Sequence, residues 1–228
     1  WMVVPSAQFN LAAMAWVSAL VAAAVVIGAS MWRGAGADSM ILIGIALVFL
    51  FQALLSLMQY GASTEALQQI VFWTMGSLQR ANWASNLILV IALAIAIPFT
   101  VANAWKLTAL RLGDARAAAL GINVQRLRIV TLVVASLLAA SAVAFAGIIG
   151  FIGLVGPHIA RMLVGEDQRF FAPASMAAGA LLLSAAHALS ITIIPGVAVP
   201  IGIITALVGV PFFVGMIFLR RRNLWGRG

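Results

Sequence analysis

An all-α, polytopic transmembrane helical bundle of about seven membrane passes is the fold that this 228-residue chain predicts, and three observations predict it. The chain is 64% hydrophobic and only 8% charged. Charge-free runs cover residues 1 to 32, 39 to 64, 81 to 105, 129 to 160 and 170 to 219, and about 20 helical residues cross a hydrocarbon core about 30 Å thick. The alternating pattern of a transmembrane barrel is absent, so helices must satisfy the backbone in lipid. The net charge of +8 sits in the short breaks between apolar runs, which points to membrane orientation and away from nucleic acid. With no cysteine, disulfides and thiolate metal sites are excluded.

The passes are read at 10 to 31, 40 to 60, 84 to 104, 127 to 146, 148 to 163, 173 to 192 and 200 to 219. The first follows Trp1 with no basic stretch ahead of it. No cleavable signal peptide is visible, and the expectation is a single transmembrane domain over 1 to 228 that is incomplete at its N-terminus. Between the second and third passes, 64 to 79 predicts a short amphipathic helix on the outer surface, with Thr64 as N-cap and Trp73 and Trp83 at the interface. The run 129 to 160 is continuous. We divide it because a single helix would put the tail Arg220, Arg221, Arg222 on the opposite side from Lys106, Arg111, Arg116, Arg126 and Arg128. Gly147, Gly150, Gly153, Gly156 and Pro157 make a break chemically reasonable. With the tail cytoplasmic, twelve of the thirteen basic residues lie inside and Arg80 alone lies outside. The first residue is then outside, so a chain starting in the cytoplasm lacks an odd number of helices. Gly202 and Gly209, on one face of the last pass, predict tight packing rather than a pore lining.

The one long polar stretch, 106 to 126, carries the most information. Asp114 opens a short helix favoured by Ala117, Ala118, Ala119 and Leu120, Gly121 stops it, and Arg126 and Arg128 resume at the membrane edge. A compact element of this kind suits docking by a soluble partner. Catalytic signatures are missing. The only lysine, Lys106, follows Trp105, so no phosphate-binding loop can be built, and any ATP must be bound on another subunit. A zinc helix, a nucleophile elbow and paired intramembrane carboxylates are also absent. No catalytic residue, metal site or cofactor is called for. His158 and His187 are the ionisable groups within apolar segments, and a neutral imidazole hydrogen-bonded in the bundle is the expected state, with His158 able to reach a carbonyl freed by Pro157.

Several stretches taken in order resemble the permease subunit of FecCD-type ATP-binding cassette (ABC) importers. They are Leu42 to Leu47, Phe72-Trp-Thr-Met-Gly-Ser-Leu78, Leu112-Gly-Asp-Ala-Arg-Ala-Ala-Ala-Leu-Gly-Ile-Asn-Val124, Gly150-Phe-Ile-Gly-Leu-Val-Gly-Pro-His-Ile-Ala-Arg161 and Pro200 to Phe213. The resemblance covers most of the chain from about residue 40 onward. It implies a permease of ten helices in the inner membrane that moves an iron-siderophore, haem or cobalamin-like complex, of which this chain holds the last seven. The implied partners are cytoplasmic ABC ATPase subunits, a second permease subunit or half, a periplasmic substrate-binding protein and membrane lipid, with no nucleic acid. By the same resemblance, Leu112, Gly113, Asp114, Arg116, Ala117, Ala118, Leu120, Gly121 and Asn123 couple to the ATPase. Ile41, Gly44, Ile45, Val48 and Gln52 line the translocation path, Gly34, Ala35 and Gly36 stand near the cytoplasmic gate, and Arg80 docks the binding protein. One departure is that Ala198 and Val199 precede Pro200, where many members carry a glutamate. The alternative from another class is an ion- or proton-coupled secondary transporter using His158. A non-transporting scaffold is a third.

Overall fold

The computed structural model describes residues 5–32 and 37–225. It contains nine α-helices in that part of the chain: α1 Pro5–Trp32, α2 Ala37–Tyr60, α3 Thr64–Thr74, α4 Trp83–Leu110, α5 Asp114–Ala119, α6 Val124–Ala146, α7 Ile152–Val164, α8 Gln168–Thr192 and α9 Ile201–Trp225. A 3-10 turn, Leu78–Arg80, lies between α3 and α4. Among the described residues there is no strand, only an isolated bridge between Ile194 and Val197. The seven expected passes correspond to α1, α2, α4, α6, α7, α8 and α9. Four stretches have the length and apolarity to cross a membrane: Ile41–Tyr60, Trp83–Leu110, Val124–Ala146 and Gln168–Thr192.

α7 packs most extensively on α8, and α1 on α6, while α4 bridges α6 and α8. The α1–α6 contact is pinned by the Trp16 indole N–H, which donates to the Ser141 hydroxyl at 2.7 Å; Ser141 in turn donates to the Leu137 carbonyl. Buried polar groups in apolar surroundings need such partners. α4 has 28 residues, about 42 Å at 1.5 Å per residue, so its ends must project beyond a hydrocarbon core about 30 Å thick. It runs six residues past the expected end at 104.

The expected break in the run 129 to 160 is present, but the fifth pass differs from the expectation. α7 begins only at Ile152 and has 13 residues, about 20 Å, too short to cross alone. Residues 147 to 151 are non-helical, with Phe151 at φ 66°. Pro157 falls inside α7 rather than at the break. Irregular backbone at membrane depth is tolerated only where protein covers it, and the segment after α3 does this. Ser77 N–H donates to the Ala146 carbonyl at 2.8 Å, while Ile201 N–H and Gly202 N–H donate to the Gly76 and Met75 carbonyls. One short segment therefore closes the C-terminal end of α6 and the N-terminal end of α9.

The stretch 64 to 79 was expected to be one amphipathic helix; α3 covers only Thr64–Thr74 of it, with no buried residue, and the remainder is the closing segment. The N-cap of α3 is Ser63, whose hydroxyl accepts from Ala66 N–H, and not Thr64, the first helical residue. Gly202 and Gly209 serve close packing as expected. A Cβ on Gly202 would lie 2.5 Å from the Met75 carbonyl oxygen, and one on Gly209 would strike the Phe151 ring.

The α7–α8 contact depends on Gly156, where a Cβ would meet the Gly179 backbone nitrogen at 3.1 Å; at Gly153, one turn earlier, it would meet nothing within 4 Å. Gly156→Leu is expected to destabilise the protein by about 1–3 kcal/mol and to lower its thermal unfolding midpoint in detergent. Gly153→Leu should leave the midpoint unchanged, so equal effects would refute the close-approach assignment.

Candidate functional site

The charged end of the bundle is assembled from two stretches far apart in sequence. The end of α4, the last turn of α7 and the α7–α8 loop meet through Glu166 of that loop, whose carboxylate lies 2.6 Å from the Arg111 guanidinium and 3.3 Å from that of Arg161. Arg111 also donates to the Glu166 carbonyl. The Thr108 hydroxyl accepts from Gln168 N–H at 3.0 Å, tying α4 to the first turn of α8. These contacts place Lys106 to Arg128 and Arg161 to Arg169 on one side, as the charge distribution predicts. The helix ends closed by residues 75 to 80 lie on the other.

α5 is held against this end by a small apolar cluster. Ala117 is fully buried and packs with Ala109, Ile122 and Leu127, with Leu107, Leu110 and Val124 alongside. Gly113 and Gly121 bracket the helix at φ 98° and 79°, conformations that cost an L side chain about 1 kcal/mol or more. The chain can thus leave α4, make one and a half turns and enter α6 within fourteen residues. Asn123 caps α6 by accepting from Arg126 N–H at 2.9 Å. Asp114 at the start of α5 accepts from one Arg128 nitrogen through both carboxylate oxygens, at 2.9 and 3.0 Å. A carboxylate in the first turn also suits the positive end of the helix.

The expected coupling residues thus gather into one element with two faces. Ala117 points in, while Leu112, Asp114, Arg116, Ala118 and Leu120 are exposed. Leu112 and Leu120 are 55% and 58% exposed, two large apolar groups on a polar surface that water does not favour. Sequence reading missed two pairings: Arg128 with Asp114, which locks the element, and Glu166 with Arg111, which fixes the end of α4 beside it. These partners are 14 and 55 residues apart, beyond any helical spacing.

α2 contrasts with the rest of the bundle: it contacts α1, and none of the span Ile41–Tyr60 is buried. Ile41, Ile45, Val48 and Gln52 are exposed, and Gly44 has open space where a Cβ would stand. These five positions repeat at i, i+3, i+4, i+7 and i+11, so they share one helix face. Gly34, Ala35 and Gly36 lie outside the described residues.

Arg80, expected to dock a partner, is engaged by its own chain. Its Nη2 donates to the Trp73 carbonyl at 3.2 Å and to the Ala146 carbonyl at 3.5 Å. Partial burial lowers its pKa by withdrawing water from the charge, and the two carbonyl dipoles act in the opposite sense. His158 does not hydrogen-bond a carbonyl as expected; its ring stands edge-on to Phe212 at 6.0 Å. His187 is half-buried on α8.

The model of the FecCD transport family matches residues 2–220. The chain is 34% identical to the hemin transport system permease protein of Yersinia pestis over 93% of its own length and 64% of the relative's. It is 34% identical to the vitamin B12 import system permease protein of Vibrio vulnificus over 92% and 62%. A solved structure described as an inward-facing conformation of a metal-chelate type ABC transporter superposes with a TM-score of 0.80 at 34% identity, covering 86% of this chain and 63% of that one. The chain therefore spans about three fifths of the length of the proteins it matches. Its helices, its apolar spans and the match over residues 2–220 make it a multi-pass membrane protein belonging to the FecCD transport family.

Proposed function

We propose that this chain forms the membrane path and the motor-docking element of an ABC importer permease in the cell inner membrane, moving an iron chelate such as an iron-siderophore, with haem and cobalamin-like complexes as related cargo. The observation that carries the reading is α5: a short helix anchored by Ala117, locked by Asp114–Arg128 and offering exposed Leu112 and Leu120. ATPase subunits closing beneath this element shift the permease only if they contact it differently in their two states. The salt-bridged hub at Glu166 joins α4 and α7 to the same end, so a push on α5 has rigid elements to act on. The similarity to hemin and vitamin B12 permeases supports bulky chelates as cargo. α2, with its unburied face of Ile41, Gly44, Ile45, Val48 and Gln52, lines the path beside a second permease copy or half, and Gly34 to Gly36 lead to the cytoplasmic gate. A periplasmic binding protein docks at the outer rim around Arg80. The alternative of proton coupling through His158 gains no support, because the imidazole faces the Phe212 ring.

Uptake of a labelled iron chelate into cells carrying the complete transporter tests the proposal. It should stop on ATP depletion and persist when the proton gradient alone is collapsed; the reverse result would favour secondary transport. Leu112→Asp with Leu120→Asp is expected to reduce uptake at least about tenfold, equivalent to roughly 1.4 kcal/mol of lost coupling, with membrane insertion and protein level unchanged. Wild-type uptake in that variant would remove the coupling role. Because the space at Gly44 is open, Gly44→Trp should keep the wild-type melting temperature yet block uptake, and normal uptake would remove α2 from the path.

The Asp114–Arg128 pair is part-exposed, so its own contribution to stability is about 0.2–1 kcal/mol. Its role is positional. Asp114→Arg should impair uptake, and the swapped pair Asp114→Arg with Arg128→Asp should recover much of it. No recovery would mean that Asp114 acts through the partner rather than through Arg128.

A further inference from the structure

We propose that the cavity between the end of α4 and the start of α6 binds the phosphate group of an anionic membrane lipid on the cytosolic side. It measures about 490 Å³, with Lys106 and Arg126 at its polar end and Phe99, Leu127 and Val130 in its apolar part. Phe99 lies seven residues, about 10 Å, along α4 from Lys106. The site therefore runs from the charged interface into the depth occupied by acyl chains. Trp105, which also lines it, is of the type that favours this interface.

Both cations are available. Three carboxylates on this side are already committed: Glu166 to Arg111 and Arg161, Asp114 to Arg128, and Asp167 to the Arg169 N–H and the Thr108 hydroxyl. Neither Lys106 nor Arg126 meets a carboxylate. Lys106 Nζ is held by Asn103 Oδ1 at 3.1 Å and stands 5.9 Å from the Trp105 ring centre, and Asn103 is itself fixed by donating to the Phe99 carbonyl. Arg126 is positioned through its backbone by the Asn123 cap. Two cations line one cavity and neither is paired with a carboxylate there, and a basic pocket between helices at the cytosolic face suits a lipid headgroup. Gly121, Ile122 and Asn123 line the same cavity, so the lipid lies directly beneath the α5 turn.

The complete transporter, purified in mild detergent and exchanged against an equal mixture of phosphatidylglycerol and phosphatidylcholine, can be examined by native mass spectrometry for retained lipid. Each cation near the surface accounts for about a fivefold preference. The wild type should therefore retain phosphatidylglycerol about twentyfold over phosphatidylcholine, and Lys106→Gln with Arg126→Gln should bring the ratio close to one. Lys106→Arg with Arg126→Lys keeps the charges and should keep the preference, separating lipid loss from misfolding. Arg169→Gln, a cation on the same side outside this cavity, should leave it unchanged. An unchanged ratio in the neutral variant, an equal fall in Arg169→Gln, or release of the lipid by excess inorganic phosphate would overturn the assignment.

Discussion

Every backbone polar group that ends a helix within the bilayer must find a partner, and in this chain one segment of six residues serves two helices at once. Residues 75 to 80 accept N–H groups from the start of α9 through the Met75 and Gly76 carbonyls. They also donate to the Ala146 carbonyl at the end of α6 through Ser77 and Arg80. Without that closure the Ala146 carbonyl and the N–H groups of Ile201 and Gly202 would lose these partners, at several kcal/mol each where lipid replaces them. The close approach of α9 to residue 75, which leaves no room for a Cβ at Gly202, belongs to the same closure.

The opposite end is organised by charge rather than by backbone closure. Glu166 gathers arginines from α4 and α7, and Asp114 binds the first turn of α6 to α5. Individually such part-exposed pairs contribute little to stability. Their effect is geometric: a helix of six residues, too short to persist alone, holds a fixed pose on the long helices behind it. The molecule thus has one end closed by backbone hydrogen bonds and one polar end held by ion pairs, joined by the long helices.

The apolar passes could be read directly, because lipid demands long apolar runs, and the gathering of Lys106 to Arg128 with Arg161 to Arg169 at one end was legible in the spacing of the charges. The α5 element was equally legible: Asp114, the alanine run and Gly121 announce a short helix and its stop. The extent of α7 was not, since Ile148 and Ile149 are as apolar as any helical residue and hydropathy does not distinguish a covered extended strand of chain from a turn of helix. Backbone-to-backbone closure by residues 75 to 77 leaves no side-chain signature. Arg80 read as a free outer cation, whereas its hydrogen bonds connect residues 73 and 146 and are visible only in three dimensions. The Ser63 cap was missed by one residue, because Ser and Thr are both good caps.

Whether the two ends face opposite compartments is measurable by single-cysteine labelling, with no cysteine in these 228 residues to compete. Single-cysteine variants at Ala118 and at Gln79 of the complete transporter can be treated with a membrane-impermeant maleimide, from outside and after permeabilisation. Labelling of Gln79→Cys from outside and of Ala118→Cys only after permeabilisation is the expected result. Labelling of both from the same side, or the reverse pattern, would contradict it.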